Sequence, residues 1–455
     1  MKTEASNSAP QSMNDRIVMP IWTCGLFIVV MNTTMFNVSM PSIIGDLHIT
    51  ADLGSWIISS YSIGYALSTV IYSRLSDSIA IRRLLTVGLL VLGFSSVLGL
   101  FAQTYGVLLA ARILQSAGAG AMAGLGLILA SRYIPPQRRG RAIAMISAGS
   151  AMAFGIGPIA GGIITEYFGW NGLFGLTCLI LLVLPVLLRL LPRDLPPSSG
   201  FDLIGASLTV ANAVTLLLAV TQLSIVWLAV SAVTIITHVW HLRKGQDTFI
   251  NPALLKNTHY RKLLIIGWCI LIVNLGNLFL MPLALSDLYG RSPLTIGLTI
   301  APGALLSAFL SRFVGRWIDT YGNRLFLLIA HALFIAVLLS FMLGIGSASY
   351  IILGGYLALS PAISAAIASL NNETSQLLPK AQIGSGMGLM QLIQFFGGSM
   401  STAVCGLLLH AFNRLPAVER YSRTYAVLLA VSLCSTLVLY WYIRSARPAT
   451  QTDSR

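Results

Sequence analysis

Long apolar stretches, each about as long as a bilayer is thick, follow one another along the chain. A helix needs about 20 apolar residues to cross the hydrocarbon core, because it rises only 1.5 Å per residue. By this measure the sequence predicts fourteen membrane helices, with a pair of helices separating two groups of six. The predicted spans lie near 17–41, 53–73, 84–103, 106–131, 142–165 and 170–191, then 203–221 and 224–242, then 263–284, 293–315, 324–345, 347–370, 384–411 and 424–443. We therefore predict an all-α polytopic membrane protein.

The composition agrees with a chain that faces lipid. Of the 455 residues, 56% are hydrophobic and 9% are charged, whereas soluble domains have about 25% charged residues. The five cysteines show no C-x-x-C spacing, which argues against a metal site and against a disulfide framework. No nucleophile–base pair or metal cluster can be recognised. The sequence therefore predicts no enzyme activity, no cofactor and no metal.

The basic residues predict the orientation in the membrane. All but five of the 28 Lys and Arg residues lie in the two tails and in one alternating set of loops. The exceptions are Arg112, Arg291, Arg414, Arg420 and Arg423. Because basic loops stay on the cytoplasmic side, both termini are predicted to be cytoplasmic in a multi-pass plasma-membrane protein. The net charge of +14 is then a topology signal rather than a sign of nucleic-acid binding.

Two polar stretches and one repeat divide the chain. The stretches at 193–202 and 243–262 predict an N-terminal six-helix bundle over 1–192, a two-helix insertion and loop over 193–262, and a C-terminal six-helix bundle over 263–455. After its second span each group repeats the pattern Arg-x-x-Asp, followed by a basic residue at the next helix start. The repeated residues are Arg74, Asp77, Arg82 and Arg83 in the first group, and Arg316, Asp319 and Arg324 in the second. Two such halves with a substrate path between them are typical of transporters.

Four motifs carry a resemblance to a known family. They are Ser73 to Arg83 after the second helix, Arg112-Ile-Leu-Gln115-Ser116 in the fourth, Gly155-Ile-Gly157-Pro158-Ile-Ala-Gly161-Gly162 in the fifth, and Asn37-Val-Ser-Met-Pro41 in the first. Over its whole length the chain resembles the major facilitator superfamily, and within it the fourteen-helix drug:proton antiporters. Leu75-Ser76-Asp77, Ile250-Asn251-Pro252 and Ser385-Gly386-Met387 are similar to the tetracycline efflux proteins of Gram-positive bacteria.

The resemblance implies a function and assigns roles to several residues. It implies a monomeric secondary active exporter of drugs or secreted metabolites that works by alternating access and is driven by the proton gradient. The two repeated Arg-x-x-Asp loops are expected to be gating loops, and Asp77 is expected to latch the two halves together on the cytoplasmic face. The glycine-rich segment with Pro158 is expected to act as a hinge in the fifth helix.

The polar residues inside the spans predict the kind of solute. None of the fourteen Asp and Glu residues lies clearly in mid-membrane, whereas the exporters resembled here carry an acid where this chain has Asn32-Thr33. The expected central-cavity residues are one cation and several amides: Asn32, Arg112, Gln115, Asn274, Asn277, Gln391 and Gln394. A cation deep in a span is costly and therefore points to function. Such a cavity suits a neutral or anionic solute. Coupling of transport to the proton gradient is then expected to depend on the electrostatic effect of Arg112 or on protonation of Glu373.

Other interpretations of the sequence remain open. The chain could be a dedicated exporter of one endogenous anionic metabolite, such as a metallophore, or an uncoupled facilitator. A membrane receptor that has lost transport is a third interpretation, which the retention of Arg112, Pro158 and both loop aspartates disfavours.

Overall fold

The computed structural model describes residues 13–192, 201–244, 249–250, 252–379 and 382–445. In these residues it contains sixteen α-helices and no strand. The helices are α1 (Asp15–Asp46), α2 (Ala51–Leu75), α3 (Ile81–Leu100), α4 (Tyr105–Tyr133), α5 (Pro136–Phe168), α6 (Gly172–Cys178), α7 (Ile180–Leu190), α8 (Leu203–Gln222), α9 (Ile225–Lys244), α10 (Ala253–Lys256), α11 (Thr258–Tyr289), α12 (Pro293–Tyr321), α13 (Asn323–Gly344), α14 (Ser349–Leu377), α15 (Ile383–Ala411) and α16 (Ala417–Ser445).

These helices confirm the predicted all-α fold with fourteen spans. Helices α6 and α7 together make the sixth span, and α10 is a single short turn that the sequence pattern did not predict. Among the described residues, 13 helical segments are long and apolar enough to cross a membrane. The remaining span, α2, contains six serines. It can be this polar because it packs between α4 and α15 rather than facing lipid.

Several helices are longer than their predicted spans. Helix α1 runs to Asp46, α5 begins at Pro136 and α16 begins at Ala417, each about five residues or more beyond the apolar stretch. The hydropathy pattern measures only the hydrocarbon core, whereas the helical backbone continues through the headgroup region with charged side chains reaching water. The predicted boundaries were therefore wrong at these ends.

Helices α1–α7, here called the N-terminal bundle, pack against α11–α16, here called the C-terminal bundle. Both ends of the described chain lie on one face of the assembly, which we call the basic face. There Arg138 forms an ion pair with Asp15 at 2.8 Å, and the Lys262 ammonium donates to Ser445 at 2.6 Å. The bundles meet along two seams, one between α2 and α15 and the other between α5 and α12.

Both seams are closed on the side away from the basic face, which we call the outer side. There Ser59 donates to the Ser399 carbonyl across the α2–α15 seam at 2.9 Å. Gly162 of α5 is so close to α12 that a Cβ built on it would lie 2.7 Å from the Pro293 carbonyl oxygen. Toward the basic face, the first turns of α5 and the last turns of α12 are mostly exposed. The structure is therefore closed on the outer side and open on the basic face.

Helices α8 and α9 form a hairpin that lies against one seam. Val210 and Ala213 of α8 pack on a cluster that contains Leu67 of α2 and Leu392 of α15. At the basic end of the hairpin, Asp202 caps α8. Burial alone would raise the pKa of the Asp202 carboxyl, but hydrogen bonds from the Gly205 and Phe249 backbone N–H groups and from His241 outweigh it, and the pKa lies below its ordinary value.

Candidate functional site

Arg112 is the centre of the most unusual polar cluster in the structure. Its side chain is only 1% exposed, inside the N-terminal bundle. Its guanidinium donates to the side-chain oxygens of Asn32 and Gln115, the latter at 3.0 Å, and to the Ile57 carbonyl at 3.4 Å. Three residues of the predicted cavity set therefore lie together, on helices α1 and α4.

Further hydrogen bonds hold the two amides that surround Arg112. The Asn32 amide nitrogen donates to the Thr177 hydroxyl of α6 at 2.7 Å, and the Gln115 amide nitrogen donates to the Ser96 hydroxyl of α3 at 2.8 Å. Both amides consequently turn their oxygens toward the guanidinium. The network, together with the bond to the Ile57 carbonyl of α2, connects five helices of one bundle and fixes the position of the charge.

Two aromatic rings also contact the guanidinium. The Cζ atom of Arg112 lies 3.9 Å from the ring centroid of Phe36 and 3.9 Å from that of Tyr61. Cation–π contacts of this kind stabilise a cation that has been removed from water. Sequence reasoning missed Phe36, although it follows Asn32 by four residues on α1 and so lies on the same helix face.

The charge of Arg112 has no acidic partner. Among the described residues no carboxylate forms an ion pair with it, and its neighbours are amides, a carbonyl and aromatic rings. A buried cation without a counter-ion creates a positive potential in a low-dielectric region. Such a group can attract an anion or polarise a neutral acceptor.

The other predicted cavity residues belong to the C-terminal bundle. Asn277 is buried and accepts from the Tyr425 hydroxyl of α16 at 3.1 Å, so it joins two helices of that bundle. Asn274 and Gln391 are half-buried. Gln394 is 5% exposed, and its amide nitrogen has no hydrogen-bond partner within the described residues. The structure thus divides the predicted set into one cluster around Arg112 and separate amides across the interface.

The first predicted gating loop pairs with a helix of its own bundle. Arg132, in the last turn of α4, forms an ion pair with Asp77 at 2.6 Å and donates to the Ser76 carbonyl at 2.8 Å. Arg82 and Arg83 lie in the first turn of α3. A latch between the two bundles stays a prediction, since the structure is open on this face.

The second gating loop also forms an ion pair with a helix of its own bundle, but here the loop end supplies the arginine and the helix supplies the carboxylate. Arg324, at the start of α13, forms an ion pair with Glu373 of α14 at 3.4 Å. Glu373 also accepts from the Tyr442 hydroxyl at 2.6 Å and from the Asn323 amide at 2.8 Å. Asp319 is exposed in the last turn of α12. Each bundle therefore ties its gating loop to its own fourth helix through an Arg–carboxylate pair.

The loop pair yields a first prediction. Asp77→Asn should slow transport across the membrane about tenfold or more while leaving the unfolding temperature unchanged, because a half-exposed ion pair contributes little to stability. The effect on rate arises only if Asp77 changes partners when the basic face closes. Glu419→Gln is the matched control, because Glu419 pairs with Arg423 at the same 2.6 Å on the outer side. Equal rates for the two variants would contradict a gating role.

The glycine-rich segment of α5 packs against α1 on one side and against α12 on the other. A Cβ on Gly161 would lie 2.8 Å from the Met35 Cα and carbonyl oxygen of α1, and a Cβ on Gly155 would lie 2.9 Å from Leu305 of α12. Pro158 lies between them inside the helix. Small residues are therefore needed for close packing within the bundle and across the seam, whereas the hinge role stays a prediction.

Comparisons with known proteins agree with this fold. The sequence profile of the Major Facilitator Superfamily matches residues 22–402. The chain is 26% identical to the riboflavin transporter RibZ of Clostridioides difficile (strain 630), over 68% of this chain and 69% of that protein. It is 24% identical to the multidrug resistance protein Stp of Mycobacterium tuberculosis (strain CDC 1551 / Oshkosh), over 85% of this chain and 74% of that protein.

Solved structures match the fold over almost its full length. A bacterial homolog of the human lysosomal transporter Spinster, in an inward-facing and unoccupied conformation, superposes with a TM-score of 0.70 at 14% identity, covering 95% of this chain and 97% of that one. A POT family transporter in complex with a thioalcohol-conjugated peptide superposes with a TM-score of 0.71 at 13% identity, over 95% and 97% of the two chains.

Proposed function

The chain belongs to the major facilitator superfamily and is a multi-pass membrane transporter of small molecules, not an enzyme, and we propose that it exports neutral or anionic organic solutes. The observation that carries the proposal is Arg112, a fully buried cation without an acidic partner among the described residues. A transporter of organic cations would be expected to place a carboxylate there instead.

The cost of burying Arg112 supports a role in function. Removing an ion from water costs several kcal/mol even after the protein relaxes, and this cost is normally offset by a paired counter-ion. Here amides and aromatic rings stabilise the charge only in part, so an arriving anion gains from the remaining field. The same field repels permanent cations.

The proposed direction of transport is outward, with the basic face in the cytoplasm. The excess of Lys and Arg on that face supports the cytoplasmic placement of both termini. The open basic face then corresponds to a state that takes up solute from the cytoplasm. The name of the relative Stp, a multidrug resistance protein, is consistent with export.

The proposed energy source is the proton gradient; Arg112 binds the solute without losing its own proton, so another group carries the coupled proton. A guanidinium keeps its charge throughout the physiological range. Arg112 would instead hold an anionic solute until the bundles reorient, and the solute would leave when the site becomes hydrated on the outer side. Glu373, which is partly buried beside Arg324 and Tyr442 at the basic face, is the group that we propose for this role.

Transport by the purified protein tests the solute class. The protein would be reconstituted into phosphatidylcholine liposomes with an imposed pH gradient, with empty liposomes as the control. We expect the neutral solute riboflavin and the anion 1-anilinonaphthalene-8-sulfonate (ANS) to be carried about tenfold faster than ethidium, a permanent cation, because repulsion of ethidium by about 1.4 kcal/mol gives this ratio. Proton-driven transport of ethidium that outruns both would contradict the proposal.

A further inference from the structure

The two seams between the bundles are not equally covered. Helix α8 lies across the α2–α15 seam, where Val210 and Ala213 pack on residues of both bundles. In the described part of the chain no helix covers the α5–α12 seam from the lipid side in this way. Helix α1 contacts both α5 and α12, but it does so from inside, since it also packs on α11. The insertion thus closes one side opening and leaves the other facing lipid.

The uncovered seam continues along α12 as a stripe of exposed residues. Leu305 of α12 contacts Gly155 of α5, so this helix face belongs to the seam. Phe309, Arg312 and Arg316 follow Leu305 by four, seven and eleven residues and therefore lie on the same face. Phe309 is 52% exposed, and both arginines are exposed. Toward the basic face these side chains of α12 are therefore not covered by α5.

Aromatic rings and cations alternate along this stripe. The Cζ atom of Arg312 lies 4.1 Å from the Phe309 ring centroid and 5.2 Å from that of Phe313, and Arg316 lies 5.8 Å from Phe313. The Trp317 ring stacks on Phe313 with centroids 6.0 Å apart. The predicted apolar span of this helix ends near 315, so at 1.5 Å per residue Arg312 lies about 5 Å inside that end, where a cation that faces lipid is costly.

The charges that face the open seam are mainly positive. Arg312 and Arg316 have no acidic partner among the described residues, and exposed Asp319 lies one turn nearer the basic face. On the facing helix, Ala148 and Arg141 precede Gly155 by seven and fourteen residues, so they continue the seam face of α5, and both are exposed. The opening is therefore lined by three cations and Phe309, and Phe313 and Trp317 continue the aromatic row beside it.

We infer that the α5–α12 seam is a lateral entrance through which an amphiphilic organic anion passes from the membrane leaflet at the basic face to the transport site. Arg312, Arg316 and Arg141 receive the anionic group, and Phe309, Phe313 and Trp317 receive the apolar body. The inference rests on the proposed function and deepens it, because it restricts the solute to an anion with an apolar part that partitions into lipid.

Equilibrium binding tests the entrance without requiring transport. The full chain in phosphatidylcholine nanodiscs would be titrated with ANS and with N-phenyl-1-naphthylamine, which has the same aromatic body but no sulfonate, and empty nanodiscs would be subtracted. Arg312→Gln combined with Arg316→Gln should weaken ANS binding about tenfold and change binding of the neutral probe by less than about twofold. The double replacement by Lys should restore ANS binding to within about threefold, which also shows that the site tolerates substitution.

Matched controls separate the seam from general surface charge. Arg261→Gln combined with Arg444→Gln removes two exposed charges from the same face, at the start of α11 and the end of α16, and should leave ANS binding unchanged. An equal loss in both double variants, or an equal loss for both probes, would overturn the inference.

A lipid arm tests whether resident headgroups occupy the stripe instead. If phosphatidylglycerol in the nanodisc abolishes the difference between wild type and the Arg312/Arg316 variant, the stripe is a site for lipid headgroups and the entrance is wrong. Persistence of the difference supports the entrance. A wild type that binds ANS at the stripe but carries no solute in liposomes would contradict the proposed function alone.

Discussion

Arg112→Met should abolish measurable transport, with a loss of about 100-fold or more, while the protein stays folded. Methionine fills most of the space of the arginine side chain but carries no charge. Removing one partner of a buried charge interaction costs about 2–5 kcal/mol, and each 1.4 kcal/mol is a factor of ten. If Arg112 holds the solute, this loss appears in the transport rate.

The stability of the variant should change much less, because the opposing energies are similar in size. Burial of the Arg112 guanidinium costs several kcal/mol of hydration free energy. Arg112 regains part of this energy through the cation–π contacts with Phe36 and Tyr61 and through its hydrogen bonds. Methionine has no dehydration cost, and although the Asn32 and Gln115 oxygens lose the Arg112 donor, both amide nitrogens retain their bonds to Thr177 and Ser96. We expect the free energy of unfolding to change by about 2 kcal/mol or less.

Two further variants distinguish function from structure at this position. Arg112→Lys should recover part of the rate if charge alone matters, and little if the planar guanidinium between the amides and rings matters. Tyr61→Phe keeps the ring, loses only a 3.3 Å hydrogen bond to the Val29 carbonyl, and should transport at nearly the wild-type rate. Transport rates and thermal unfolding would be measured together. An Arg112→Met protein that unfolds would indicate a structural role and contradict the proposal.

The sequence was sufficient to predict the centre of the candidate site but not its surroundings. Arg112 stood out because a cation within an apolar span is costly, and Gln115 lies one turn away on the same helix face. The contacts with Phe36 and Tyr61 depend on how α1, α2 and α4 pack, and an apolar span gives no pattern that distinguishes one phenylalanine from another. Asn277 was grouped with these residues by its depth alone, yet it bonds to α16.

The gating loops show the same limit. The repeated Arg-x-x-Asp pattern identified two equivalent loops, but the ion partners Arg132 and Glu373 come from the ends of α4 and α14, far away in sequence. Which side of the molecule is open depends on contacts between the bundles. Those contacts differ between two states of one sequence, so no sequence pattern could have predicted the state.

Gly162→Ala should slow transport strongly by preventing closure of the outer side. A Cβ at this position would lie 2.7 Å from the Pro293 carbonyl oxygen and 3.1 Å from the Leu294 Cα, both on the backbone of α12 in the other bundle. Backbone atoms cannot move away as a flexible side chain would. Overpacking of this kind costs about 1–3 kcal/mol, which shifts a two-state equilibrium roughly 5- to 150-fold toward the state with the outer side open.

The shift can be measured with a cysteine that only the open state exposes. Ser55 is 1% exposed and packs against Gly406 across the other seam, so Ser55→Cys in a cysteine-free background should react slowly with an impermeant maleimide. Adding Gly162→Ala should increase the labelling rate and lower transport about tenfold. Gly140→Ala on the same helix is the control, because nothing lies within 4 Å of its Cβ position, and it should change neither. If Gly162→Ala lowers transport without increasing labelling, closure of the outer side does not depend on this glycine, and the prediction is wrong.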